Sequence, residues 1–241
     1  MLRDSKGMEA RAADAACKPL RVLFIGNSAT QRNNIPRLLC DLANRAGYCI
    51  EADAVIKGGA TLAEYADPNG DRGREAMRTI AQGNYDLVFL QEHSKCIASQ
   101  EWREMTASAS KSLDEAIRKS GARTCFYVRP PTGKAFSGYD SYSQCLEYDK
   151  LFSGIAAELG AESVYVNRAF AYAIKHLTVS LWALDNAHTG VEGAYLVACV
   201  FFATVFDTSA TVLDGNGLPA DVAFSLQQAA DLVASGRFVL P

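Results

Sequence analysis

The chain is short of histidine, has no paired cysteine spacing, has no long apolar run and carries no excess of basic charge. Each shortage removes a class of function. There are three histidines in 241 residues, with no His-Glu-x-x-His among them, which argues against a metal centre. The seven cysteines (Cys17, Cys40, Cys49, Cys96, Cys125, Cys145 and Cys199) are odd in number and irregular in spacing, with no Cys-x-x-Cys. That pattern suits neither a disulfide framework nor a zinc site, and reads as small buried apolar residues in a reducing compartment. No apolar run reaches the length of a membrane span. Formal net charge is -3, and phosphate binding needs a concentrated basic patch, so neither membrane nor nucleic acid is expected as a partner. Arg72, Arg74 and Arg78 are interrupted by Asp71 and Glu75, the pattern of a solvated helix face.

Other nucleotide and hydrolase signatures are missing too. Gly133-Lys134 lacks the earlier glycine of a P-loop, because Val128 stands there. Gly215–Ala220 imitates a dinucleotide turn but has no following strand and acidic partner. No Gly-x-Ser-x-Gly elbow occurs. No cofactor is implied. Residues 1–18 are charged and Ala-rich, without the apolar stretch of a signal peptide. They read as a disordered tail before a single domain over 19–241. As written the chain is expected to be cytoplasmic, and to be exported if its natural N-terminus is missing.

What remains is 49% hydrophobic residues, enough for one sizeable core, arranged as short apolar runs alternating with amphipathic segments. Strands are expected at Arg21–Ile25, Ile50–Ile56, Asp86–Leu90, Arg123–Val128 and Ser163–Val166. Asn34-Ile35-Pro36 opens a helix ended by Gly47. Further helices are expected near Arg74–Gln82, Glu101–Lys119, Tyr142–Leu159 and Ala220–Ala234. Thr189 and Glu192 match a capping box before a helix running to about Phe206, so apolar that it must be buried. The alternation implies an α/β fold with a parallel sheet covered on both faces.

In such a sheet ligands sit beyond the carboxyl ends of the strands. The first strand delivers Gly26-Asn27-Ser28 there, the second Gly58-Gly59 and the third Gln91. Asp185 and His188 precede the buried helix, in a loop that can return to the same edge. A serine hydroxyl is a weak nucleophile until an imidazole takes its proton, and the imidazole needs a carboxylate to fix its tautomer. The separation of Asp185 from His188 lets the carboxylate reach Nδ1 while Nε2 faces Ser28. An oxyanion needs fixed N–H donors, for which the Ser28 N–H, a glycine N–H and the Gln91 amide are candidates. Asn27, Gly58, Glu92 and His93 are pocket candidates; for Glu92 a turn-capping role and for His93 a hydrogen-bonded loop role stand alongside. His176 lies in a helical segment and reads as structural.

Gly26-Asn27-Ser28, Lys57-Gly58-Gly59-Ala60-Thr61-Leu62, Leu90-Gln91-Glu92-His93-Ser94 and Asp185-x-x-His188 together resemble the SGNH hydrolase superfamily (GDSL-type esterases and lipases), in a bacterial branch with Gly-Asn-Ser. The resemblance runs from about residue 21 to 206. It implies a flavodoxin-like three-layer α/β/α sandwich with a five-stranded parallel sheet, and ester hydrolysis without a metal. It implies Ser28 as nucleophile, Asp185 and His188 as its triad partners, and Ser28, Gly59 and Gln91 as oxyanion donors. Gly-Asn-Ser replaces the usual Gly-Asp-Ser, Gln91 the usual asparagine, and Thr189 a frequent proline. The expected substrate is a small ester with a short acyl group, such as an O-acetylated carbohydrate. A non-catalytic anion-binding module, and an acyltransferase using the same triad, are the alternatives.

Overall fold

The structure, a computed structural model, describes residues 18–241; the expected tail, apart from Lys18, lies outside the described residues. Five strands form one parallel sheet in the order β2-β1-β3-β4-β5: β1 (Leu20–Gly26), β2 (Ile50–Ile56), β3 (Leu87–Leu90), β4 (Arg123–Val128) and β5 (Glu162–Tyr165). The helices are α1 (Ser28–Gln31), α2 (Ile35–Arg45), α3 (Leu62–Ala66), α4 (Asp71–Gln82), α5 (Gln100–Lys119), α6 (Ser141–Leu159), α7 (Val166–His176), α8 (Val191–Phe206) and α9 (Ala220–Ala234). This is the three-layer α/β architecture expected.

Strand alternation makes the layers. Successive side chains point to opposite faces, so Val22, Phe24, Leu87, Phe89, Cys125 and Tyr127 meet α2, α7, α8 and α9 on one side. Leu23, Ile25, Val88, Leu90, Phe126 and Val128 meet α3, α4, α5 and α6 on the other. Helix α8 lies against the sheet, with Phe201 packed on Phe24, Phe89 and Tyr127. Helices α2, α7 and α9 pack around it and also touch the sheet, at β2, β4 and β5. Every residue from Gly193 to Ala203 is buried, which is why the helix has no polar face. Each large side chain it removes from water contributes about 1.5–3 kcal/mol. Of the six described cysteines, Cys96, Cys125, Cys145 and Cys199 are buried; Cys17 lies outside the described residues.

Strands β2 and β4 and helix α9 coincide with the sequence reading. Three local expectations need correction. Val166 opens α7 instead of closing β5. Asn34 caps α2 by position only: it is left-handed (φ 47°) and its side chain makes no cap bond. The cap of α8 is Gly190, with no side-chain bond; Thr189 instead accepts from Asn33 Nδ2, at its carbonyl (2.8 Å) and hydroxyl (3.4 Å). Helix α3, five residues long, is too short for a periodic signal. Its capping box was legible: Thr61 Oγ1 accepts from the Glu64 N–H and the Glu64 carboxylate from the Thr61 N–H. Arg72 and Arg74 pair with Glu64 and Asp71 on the exposed surface.

Candidate active site

Strand β1 ends in a turn bonded on all sides. Asn27 caps α1, its Oδ1 accepting from the Ala29 N–H at 3.1 Å. Its Nδ2 donates to the Ala60 carbonyl at 2.9 Å, tying the serine turn to the Gly58-Gly59 loop. Gly26 must be glycine: a Cβ there would lie 2.8 Å from both Gln91 Oε1 and Thr30 Oγ1. Its carbonyl accepts from the Tyr65 hydroxyl at 2.6 Å. Ser28 then stands as the first residue of α1, partly exposed at the carboxyl edge of the sheet.

The downstream loop returns to this edge. Asp185 Oδ1 accepts from the N–H groups of Ala187 (2.9 Å) and His188 (3.0 Å). Asp185 Oδ2 is 2.8 Å from His188 Nδ1, and His188 Nε2 is 2.9 Å from Ser28 Oγ. A carboxylate only accepts, so Nδ1 carries the proton, Nε2 is the acceptor, and the Ser28 hydroxyl donates to it. The N–H groups of Ala187 and His188, with the imidazole, hold the Asp185 carboxyl far below the usual carboxylate range, so it stays ionised. The loop is braced by the Ala183 N–H on the His188 carbonyl (2.9 Å) and by a bridge between Trp182 and Thr189. Asn186 turns it at φ 51°.

Gln91 is placed differently from the expectation. Its Oε1 accepts from the Asn27 N–H (3.0 Å) and the Thr30 hydroxyl (2.9 Å), and its Nε2 donates to the Glu92 carbonyl. It is 1% exposed. The extra methylene lets the amide fold back under the serine turn, so it clamps that turn and does not point its N–H into the open site. Two pocket candidates are also corrected. Asn27 is sealed beneath the turn. Glu92 is buried, its carboxyl oxygens taking the N–H groups of Leu62 (3.1 and 3.2 Å) and His93 (2.5 Å) and the Thr106 hydroxyl (3.3 Å). Burial pushes its carboxyl up to about 7. His93 is half-buried and caps a short turn, Nδ1 accepting from the Lys95 N–H at 3.1 Å. Burial, then the charges of Arg129 and Lys95, bring it down to about 4.

Gly58 and Gly59 are exposed, Gly59 at φ 74°, where a side chain would be strained. Among the described residues, neither the Ser28 N–H nor the Gly59 N–H has an acceptor. Tyr65 and Asn33, which brace the two sides, carried no motif; the Arg129 guanidinium was equally silent. His176 ends α7 against the Tyr172 ring, away from this chemistry.

No protein-family model matches the chain, and no curated protein is similar enough to count as a relative. Solved structures are similar. A protein from Slackia heliotrinireducens, itself inferred to be an SGNH hydrolase, is 27% identical with a TM-score of 0.66, over 78% of this chain and 100% of that one. A DUF4886 family protein from Bacteroides uniformis is 15% identical with a TM-score of 0.79, over 92% and 98%. A catalytic mutant of an acetylxylan esterase from Geobacillus stearothermophilus is 16% identical with a TM-score of 0.57, over 76% and 92%.

Proposed function

The chain belongs to the SGNH hydrolase superfamily, and from that premise we propose that it is a serine esterase for short acyl esters, acting through Ser28, His188 and Asp185. The Ser28 hydroxyl attacks the ester carbonyl while His188 Nε2 takes its proton. His188 returns that proton to the leaving alcohol. Water, activated by the same imidazole, then releases the acid from the acyl-serine. Asp185 fixes the tautomer and stabilises the imidazolium. The Ser28 and Gly59 N–H groups receive the oxyanion, and Gln91 holds the turn that aims them.

The observation that carries this reading is the continuous relay from Asp185 through His188 to Ser28, with links of 2.8 and 2.9 Å. Support for a small polar ester, such as an O-acetylated carbohydrate, comes from the open base loop, where the polar Asp185 and Asn186 are exposed and Leu184 is an isolated apolar neighbour. A long acyl chain would need an apolar covering there. The fold shared with an acetylxylan esterase agrees with this class.

The test is a screen of p-nitrophenyl esters of increasing acyl length and of acetylated sugars. The acetate should turn over fastest, and Ser28→Ala should lower kcat by roughly 10⁵–10⁶-fold. Equal rates in the wild type and Ser28→Ala would overturn the mechanism.

A further inference from the structure

Arg129 is the only cationic side chain among the buried described residues, at 6% exposure. It directly follows β4. The sheet register aligns Ile25, Leu90 and Phe126 across β1, β3 and β4. Three residues beyond each stand Ser28, His93 and Arg129. The three strands end together, so the start of α1 with Ser28, the turn capped by His93 and the residue after β4, Arg129, all lie at the same carboxyl edge, and the charge of Arg129 reaches His93.

Its own contacts leave the guanidinium largely unsatisfied. Nε donates to the Pro130 carbonyl at 3.1 Å, and the head lies 5.6 Å from the centre of the Tyr148 ring. Among the described residues no carboxylate lies within ion-pairing distance, and neither terminal nitrogen has an acceptor. Neither of those nitrogens is sealed from solvent. Glu92 feels the charge of Arg129 but makes no direct ion pair or hydrogen bond with it, its oxygens taking the N–H groups of Leu62 and His93 and the Thr106 hydroxyl. A cation so withdrawn from water is costly unless something pairs with it. The loop it leads into is fixed to the base loop: the Trp182 indole N–H donates to the Pro131 carbonyl at 3.0 Å, and the Gly133 N–H to the Asn186 carbonyl at 3.0 Å.

We infer that Arg129 is a specificity residue that binds a carboxylate on the substrate, so that the ester cleaved at Ser28 is an acidic one. The planar fork of the guanidinium suits a carboxylate's two oxygens. The inference rests on the esterase reading and narrows its substrate class to esters whose far end is anionic.

The test compares mono-p-nitrophenyl glutarate with neutral p-nitrophenyl butyrate. The wild type should favour the glutarate ester in kcat/KM by about tenfold or more, and Arg129→Gln should lose that preference. Arg129→Lys, which keeps the charge without the fork, should retain part of it, and it decides the matter if Arg129→Gln does not fold. An unchanged ratio in the folded variant would overturn the inference. Free glutarate separates the two readings. It should raise the Tm of Ser28→Ala and not that of Ser28→Ala/Arg129→Gln. A glutarate shift without ester turnover would refute the esterase and keep the carboxylate site. Turnover without charge preference would do the reverse. An equal Tm rise from inorganic phosphate would overturn the assignment to a carboxylate.

Discussion

Ser28 hangs from a turn whose other members are in the core, whereas Asp185 and His188 sit on a loop at the surface. Asn27, Thr30 and Gln91 are at most 1% exposed; the Asp185 side chain is 40% exposed and that of His188 26%. The turn is held by bonds between residues far apart in the chain, from β1 to Ala60, Tyr65 and Gln91. The base loop is shaped mainly by itself, through Asp185, Ala187 and His188. Damage to the turn should therefore be felt first in stability, and damage to the loop first in rate.

The sharpest contrast comes from Asp185→Asn. It removes the acceptor that fixes the imidazole tautomer, so kcat should fall on the order of 10⁴-fold, with Tm almost unchanged because the group is exposed. Comparable losses of Tm and rate would erase the distinction between the two regions.

Gln91→Leu should behave in the opposite way. It leaves the buried Asn27 N–H and Thr30 hydroxyl without their acceptor, each worth about 1–3 kcal/mol, so chemical denaturation should show a loss of roughly 4 kcal/mol. An oxyanion donor would instead lose 10²–10³-fold in kcat, about 3–4 kcal/mol, at constant stability. That outcome would restore Gln91 to the oxyanion site.

Glu92 gives a pH signature to the buried side. Its folded value of about 7 exceeds the ordinary 4.5 because burial disfavours the charged form. The folded chain therefore binds the proton more tightly than the unfolded one. The stability this adds is complete below pH 4.5, declines as pH rises and is gone above about 7, a span of roughly 3 kcal/mol. Glu92→Gln should flatten this decline in denaturation curves taken across the window; an unaltered slope would assign it to other groups.

The smallest effect is expected at the junction of the two regions. Asn33→Ala removes the bond to the Thr189 carbonyl beside His188 and puts alanine at φ 58°, for a loss of about 1–2 kcal/mol. A few-fold fall in kcat should accompany it.

The alternating apolar runs carried the strand positions because both faces of each strand are buried, so an uninterrupted run is the expected signature. Ser28, Asp185 and His188 could be singled out in the sequence because Gly26-Asn27-Ser28 follows a strand and Asp185-x-x-His188 precedes the buried helix; either motif alone also fits an ordinary turn, and their hydrogen-bonded order is visible only in three dimensions. What was hidden depends on side-chain direction. Nothing in Leu90-Gln91-Glu92 says that the Gln91 amide folds inward, or that Glu92 lies under α3. Arg129 follows a strand and precedes Pro130-Pro131, a context that reads as an exposed loop residue; its burial is set by α6, distant in sequence.

The most direct measurement is labelling with a fluorophosphonate, located by peptide mass spectrometry. One residue, Ser28, should be modified, at a rate strongly reduced in His188→Ala and absent in Ser28→Ala. Persistent labelling of Ser28→Ala, or no labelling of the folded wild type, would contradict the serine mechanism.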